Sequence, residues 1–104
     1  MKNYETIIIL NPNLENNIIE EAISNVEKNI KKNNGEVLKI ERWGKKKLAY
    51  EVKKFNYGFY VLFNIKADLK AVNELENSYR LSENVIKHII VKTDEEKAGE
   101  QKKE

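Results

Sequence analysis

The sequence predicts an α+β domain with the element order β-α-β-β-α-β, a four-stranded antiparallel sheet carrying two helices on one face. Three observations predict it. Runs rich in β-branched and aromatic residues recur at "YETIIIL", "EVLKIERW", "FYVLFNIKA" and "VIKHIIVK". Two intervening stretches repeat their apolar residues at helical spacing. A length of 104 residues with no cysteine suits one small domain around one core, without disulfides.

Taken in order, Tyr4 to Leu10 is too short for a globular helix and reads as the first strand. Asn11-Pro12-Asn13 ends it, because proline cannot continue a central ladder and asparagine favours turns. In "LENNIIEEAISNVEKNIKKN", Ile18, Ile19, Ala22, Ile23, Val26 and Ile30 form one apolar helix face. Glutamates come early and Lys31 and Lys32 last, as the helix dipole favours. Asn34-Gly35 is the stop signal, with glycine expected in the left-handed conformation. "EVLKIERW" is the second strand, Gly44 a bulge or bend within it, and "KKKLAYEVK" its continuation. "KFNYG" reads as the hairpin turn and Phe59 to Ala67 as the third strand. Asp68 caps a second helix whose Leu69, Val72, Leu75 and Tyr79 share a face. Val85 to Lys92 is the last strand.

This order is the ferredoxin-like pattern. Strand alternation sends Thr6, Ile8 and Leu10, with Val61, Phe63 and Ile65, toward the helices. The other face carries Ile7, Ile9, Tyr60 and Leu62, and no helix is left to cover it. An open, partly apolar face of this kind implies a partner. The domain is expected to occupy residues 1–92 and to be followed by a charged, disordered tail over residues 93–104.

Composition narrows the function. With 19 basic and 17 acidic residues the formal net charge is only +2, so an anionic partner must be met by a local patch. No apolar run reaches the roughly 18 residues that span a bilayer, and the N-terminus lacks a signal-peptide pattern, so a cytoplasmic location without membrane contact is expected. Catalytic signatures are missing. The single histidine, His88, lies between isoleucines on a strand with no triad partners beside it. Metal-ligand spacing, a P-loop and a dinucleotide fingerprint are all missing. Neither an enzyme, nor a small-molecule substrate, nor a metal or cofactor is expected.

What stands out is "GKKKLAYEVKKFNYGFYVLF", Gly44 to Phe63. It sets Lys45, Lys46, Lys47, Lys53 and Lys54 close to Trp43, Tyr50 and Tyr57. Lysines attract phosphate and rings stack on unpaired bases. The competing explanation is that the lysines keep a long hairpin soluble and protect an edge strand. "YGFYVLF" partly matches the third-strand signature of RNA-recognition-motif domains. Tyr57 stands in place of its basic residue, however, and "IIILNPNL" lacks the first-strand stacking ring.

A longer match runs in register over almost the whole chain. "YETIIILNPNL", "GKKKLAYEVKK", "YGFYVLFNI" and "SENVIKHIIVK" resemble the family of the sixth protein of the bacterial small ribosomal subunit. The most specific stretch, Gly44 to Lys53, resembles the family's G-x-R/K-x-L-A-Y-x-I-x; Glu51 and Val52 stand where typical members have proline and isoleucine. The resemblance implies a non-enzymatic ferredoxin-like protein of the cytoplasmic ribosome. Such proteins bind the central domain of small-subunit ribosomal RNA, in the platform, as a heterodimer with the subunit's eighteenth protein.

The resemblance also implies site residues. Lys45, Lys46 and Lys47 match basic family positions and are expected on phosphates. Tyr50 matches the motif tyrosine and either contacts RNA or packs on the sheet. Lys2 and Lys92 are expected on adjacent central strands, near RNA. Ile7, Ile9, Tyr60 and Leu62 are expected against the protein partner, with a homodimer through open faces as the alternative. A ferredoxin-like protein-binding module with no RNA role is the second function class.

Residues 93–104 carry too little apolar surface to offset an ordering cost of about 1–2 kcal/mol per residue. Hydrogen exchange on the isolated protein should find fast-exchanging amides throughout this stretch; strong protection there would contradict the expectation.

Overall fold

The computed structural model describes residues 1–93. Its order is β1 (Lys2–Leu10), α1 (Asn16–Lys32), β2 (Glu36–Val52), β3 (Phe55–Ala67), α2 (Leu69–Leu81) and β4 (Val85–Thr93). The strands form one antiparallel sheet in the order β2-β3-β1-β4, so β2 and β4 are its edges. The expected ferredoxin-like architecture is what the chain adopts. Thr93, expected to begin the tail, is the last residue of β4; the rest of that segment, 94–104, lies outside the described residues.

Alternation along the strands builds the core. Thr6, Ile8, Leu10, Val61 and Phe63 are completely buried, and Ile65 nearly so, against the helices. From α1 come Ile19, Ile23, Val26 and Ile30, and from α2 Ala71, Val72, Leu75 and Tyr79. Leu69, expected on that face of α2, is 66% exposed. At roughly 100° per residue it points about a quarter turn away from the centre of the Ala71, Val72, Leu75 and Tyr79 group. Thr6, the one buried polar residue among the described residues, shares a 3.0 Å hydrogen bond with the Tyr79 hydroxyl. Burial pushes the Tyr79 hydroxyl well above its ordinary pKa, and the Thr6 bond offsets this only in part.

The helix ends follow local rules, with two adjustments. The Asp68 carboxylate accepts the Ala71 N–H at 2.9 Å, a side-chain N-cap. In α1 the first turn contains no acid, because Glu15 is the N-cap residue and Glu20 and Glu21 fall in the second turn. At its other end the left-handed residue is Asn34, φ 68°, where Gly35 had been expected. The Gly35 N–H reaches Ile30 O at 2.8 Å and the Asn34 N–H reaches Lys31 O at 3.0 Å, a Schellman closure. Gly35 is needed for space: a Cβ there would lie 2.8 Å from Ile30 Cγ2 and 3.1 Å from Lys66 O.

The β2–β3 hairpin departs further from expectation. Gly44, at φ +90° with open space around it, sits at a register shift in β2, as the bulge reading required. The turn, expected at "KFNYG", is instead Lys53-Lys54, both left-handed, between the paired Val52 and Phe55. Positive φ at both central residues matches the right-handed twist of the strands. Asn56, Tyr57 and Gly58 are thereby drawn into β3, with Tyr57 opposite Lys47 and Gly58 opposite Lys46.

This extended hairpin covers part of the face expected to be open. Leu48 packs with Ile9 and Ile86 in a second small core, flanked by Val52, Phe55 and Tyr60. Because β2 and β4 are opposite edges, Leu48 can meet Ile86 only if the hairpin's far end folds across toward β4. Ile9 is left only 4% exposed and Leu62 only 7%.

Two outcomes follow from this packing. A Cβ on Gly58 would lie 2.2 Å from Ile9 Cγ2, so Gly58→Ala should destabilise the domain by about 1–3 kcal/mol in urea denaturation. Adding Ile9→Ala removes the clashing methyl, so the double variant should lose less than the two single losses combined.

The second concerns the Arg42–Glu20 pair, which ties β2 to α1 through two hydrogen bonds of 2.8 and 2.7 Å. Hydrogen bonding from Arg42 lowers the Glu20 pKa below its ordinary 4.5. A lowered carboxylate pKa stabilises the fold above the ordinary value, and the gain is lost as pH falls through the lowered one. Such exposed pairs contribute only about 0.2–1 kcal/mol. The stability difference between the unsubstituted protein and Glu20→Gln should therefore be present at neutral pH and vanish in acid; a constant difference would exclude the linkage.

Candidate nucleic-acid and protein interface

The bulge at Gly44 turns Trp43 onto Tyr60 of the neighbouring strand. The rings stack at 6.3 Å between centroids, with 17° between their planes. The Trp43 Nε1–H donates to Glu41 Oε1 at 2.8 Å, and Lys39 Nζ holds the other Glu41 oxygen at 2.7 Å. Trp43 is thus anchored through its nitrogen while the indole stays 43% exposed. Lys46 and Lys47 stand beside this stack, and the four side chains line a broad concavity of about 590 Å³. Two rings beside two exposed lysines can offer a π-face and phosphate contacts together.

Lys45 takes another role. Its Nζ lies 5.6 Å from the Tyr57 ring centroid, and neither Lys45 nor Tyr57 lines the concavity. Tyr50 is also separate. Although exposed, its hydroxyl accepts a 2.9 Å hydrogen bond from Lys87 Nζ, which lies 5.0 Å from the ring centroid. That bond lowers the Tyr50 pKa. The motif tyrosine therefore belongs to the β4 side of the molecule, where the hairpin's far end arrives.

Lys2 and Lys92 are exposed at the other end of the sheet. Lys92 pairs with Tyr4, two residues from Lys2, so the two lysines are close neighbours on adjacent strands. Only β1 is central; β4 is an edge, which corrects the expectation of two central strands. Tyr4 pairs with Ile65, whereas Lys46 pairs with Gly58, so the two basic groups lie roughly 20–25 Å apart along the sheet.

Of the residues expected against a protein partner, Ile7 and Tyr60 are half-buried, while Ile9 and Leu62 are buried within the chain. The exposed apolar surface of that face continues onto β4. Ile89, paired with Ile7, is 40% exposed, and Val91, paired with Glu5, is 49% exposed. Neither was singled out in the sequence. Their alternation with His88 and Ile90 was the available signal, but which face of a last strand stays bare depends on the far end of the hairpin.

His88 lies on the helix side, its ring 5.2 Å from that of Tyr79 and its Nε2 3.8 Å from Glu76. Among the described residues no group of three or more His, Cys, Asp or Glu side chains is placed to hold a metal ion, and no helix is long and apolar enough to cross a membrane.

Comparison with known proteins bears on the family and the fold. The family model described as "Ribosomal protein S6" matches residues 3–92. The chain is 42% identical over 91 residues to the small ribosomal subunit protein bS6 of Clostridioides difficile, covering 88% of this chain and 98% of the relative. It is 36% identical to the bS6 of Heliobacterium modesticaldum, covering 92% and 100%. The crystal structure of 30S ribosomal protein S6 from Thermotoga maritima superposes with a TM-score of 0.87 at 33% identity, over 98% of this chain and 96% of that one. With a fold, a length and a sequence that agree from β1 to β4, this chain belongs to the ribosomal protein S6 family of the small ribosomal subunit.

Proposed function

We propose that the chain is a non-catalytic structural component of the small subunit, in the cytoplasmic ribosome. It binds the central domain of small-subunit ribosomal RNA, in the platform, together with the subunit's eighteenth protein. The observation that carries this reading is the Trp43–Tyr60 stack flanked by Lys46 and Lys47. Lysines there meet backbone phosphates, and the exposed indole takes an unpaired base or a side chain of the partner. Lys45 adds charge along the same strand, and Lys2 with Lys92 a second basic group.

The partner is needed for affinity. A net charge of +2 allows little counterion release, and non-specific binding alone reaches only about 10⁻⁴–10⁻⁶ M at physiological salt. The apolar strip of Ile7, Tyr60, Ile89 and Val91 supports a protein neighbour on the open face. Ile9 and Leu62, buried within the chain, offer the partner little surface of their own.

Labelled central-domain RNA titrated with this chain, with the eighteenth protein and with both should show weak binding for each alone and tight binding for the pair. Equal affinity with and without the partner would overturn the cooperative mechanism. Replacing Lys45, Lys46 and Lys47 with alanine should lower the slope of log affinity against log salt by about 0.7–0.9 per lost phosphate contact. An unchanged slope would reduce these lysines to a solubility device.

A further inference from the structure

A second concentration of positive charge forms at the other edge of the sheet. Lys53 from the hairpin turn, Arg80 from the end of α2, and Lys87 and His88 from β4 line one concavity of about 310 Å³, with Tyr79, Val85 and Ile86 as its remaining walls. The hairpin turn, distant in sequence, meets the consecutive elements α2 and β4 here, and no carboxylate is among the lining residues. Glu76 stands beside it, 3.0 Å from Arg80 and 3.8 Å from His88. It therefore orients those two while engaging only part of the donor set of Arg80, which has five N–H groups. Lys87 is held by the Tyr50 hydroxyl, a neutral acceptor that fixes the ammonium without neutralising it. Among the described residues neither Lys53 nor Lys87 makes an ion pair.

Lys53, Arg80 and Lys87 bring three cations to one hollow and Glu76 offsets only part of that charge, so an anion held there would be stabilised. Guanidinium and ammonium groups bordering one hollow, partly walled by apolar side chains, suit a tetrahedral oxyanion. We propose that the concavity of Lys53, Arg80, Lys87 and His88 is a second phosphate-binding site, and that it takes a backbone phosphate of the RNA. The RNA half of this statement rests on the function proposed above. Tyr50 is then a positioning residue: it sets Lys87 at the mouth and is not itself required to touch RNA. With Lys46 and Lys47 on the β2 edge and this site on the β4 edge, one small domain holds two separate stretches of backbone.

The test uses the full chain and two probes. Inorganic pyrophosphate, followed by backbone amide resonances, should move those of residues 53, 80, 87 and 88. Lys53→Asn with Lys87→Gln should abolish the response; asparagine tolerates the left-handed turn position, so the fold is kept. In the RNA titration with the eighteenth protein present, the same variant should lower the salt slope by about 0.7–0.9 for one phosphate. The effect should add to that of Lys46→Gln with Lys47→Gln. No pyrophosphate response at these amides would overturn the site. A pyrophosphate response with an unchanged RNA slope would assign it to a free anion and overturn the RNA contact. If the unsubstituted chain holds no RNA even with the partner, the preceding reading falls with the RNA half, and the pyrophosphate titration alone decides the anion site.

Discussion

The pairing of β1 with β3 is the constraint on which the rest of the structure depends. From Lys2–Ala67 to Leu10–Phe59 the two central strands run antiparallel without a break in register. Because side chains alternate with a period of two, a slip of one residue would exchange every core side chain for an outward one. The register is held by what it buries: Thr6 beside Phe63 and Ile8 beside Val61, all completely enclosed. Thr6 makes that choice stricter. Its hydroxyl needs a partner in the core and finds it in Tyr79 of α2, so the strand pair and the second helix are positioned by the same contact. Losing one hydroxyl would leave the other buried and unsatisfied, at a cost of about 1–3 kcal/mol.

With the central pair in place, the edges become free to differ. β4 pairs closely with β1 and leaves Ile89 and Val91 exposed. β2 is long, bulged at Gly44, and extends with β3 well past the end of β1. Its far end folds over to enclose Leu48, and Gly58 is the point at which this closure is tightest, since Ile9 occupies the space a side chain would need. The hairpin thus does two things at once. It seals one end of the second face, and it carries Tyr50 and Lys53 across to β4.

That geometry lets a nearly neutral chain concentrate positive charge locally. The 19 basic side chains are offset by 17 acidic ones overall, yet among the described residues Lys46, Lys47, Lys53 and Lys87, which make no ion pair there, gather at the two sheet edges. Local concentration decides contact, because surface charges are screened over about 8–10 Å in physiological salt. An apolar strip lies between the edges, and its Tyr60 also forms the Trp43 stack, so the proposed RNA and protein contacts share that side chain. Membership in the ribosomal protein S6 family places the chain among the proteins of the small ribosomal subunit.

The sequence by itself determined the element order, the core and the family. β-branched alternation and helical periodicity are local signals, and Thr6, Ile8, Leu10, Val61, Phe63 and Ile65 followed from them directly. The Gly44 bulge and the Asp68 cap were equally legible, being properties of one residue and its neighbours. The hairpin turn was not. Asn56 and Gly58 are ordinary turn formers and lysines are not, so only cross-strand register could place the turn at Lys53-Lys54 and return Gly58 to the sheet. Nor could the sequence divide the site. It grouped Tyr50 with Lys45, Lys46 and Lys47 because they are neighbours along the chain. Tertiary structure parted them, setting Lys46 and Lys47 against Trp43 and Tyr60 while Tyr50 met Lys87, 37 positions away. Which cations share a hollow depends on how a long hairpin folds over a sheet, and that fold is decided by the packing of Leu48 on Ile9 and Ile86, contacts that no local pattern encodes.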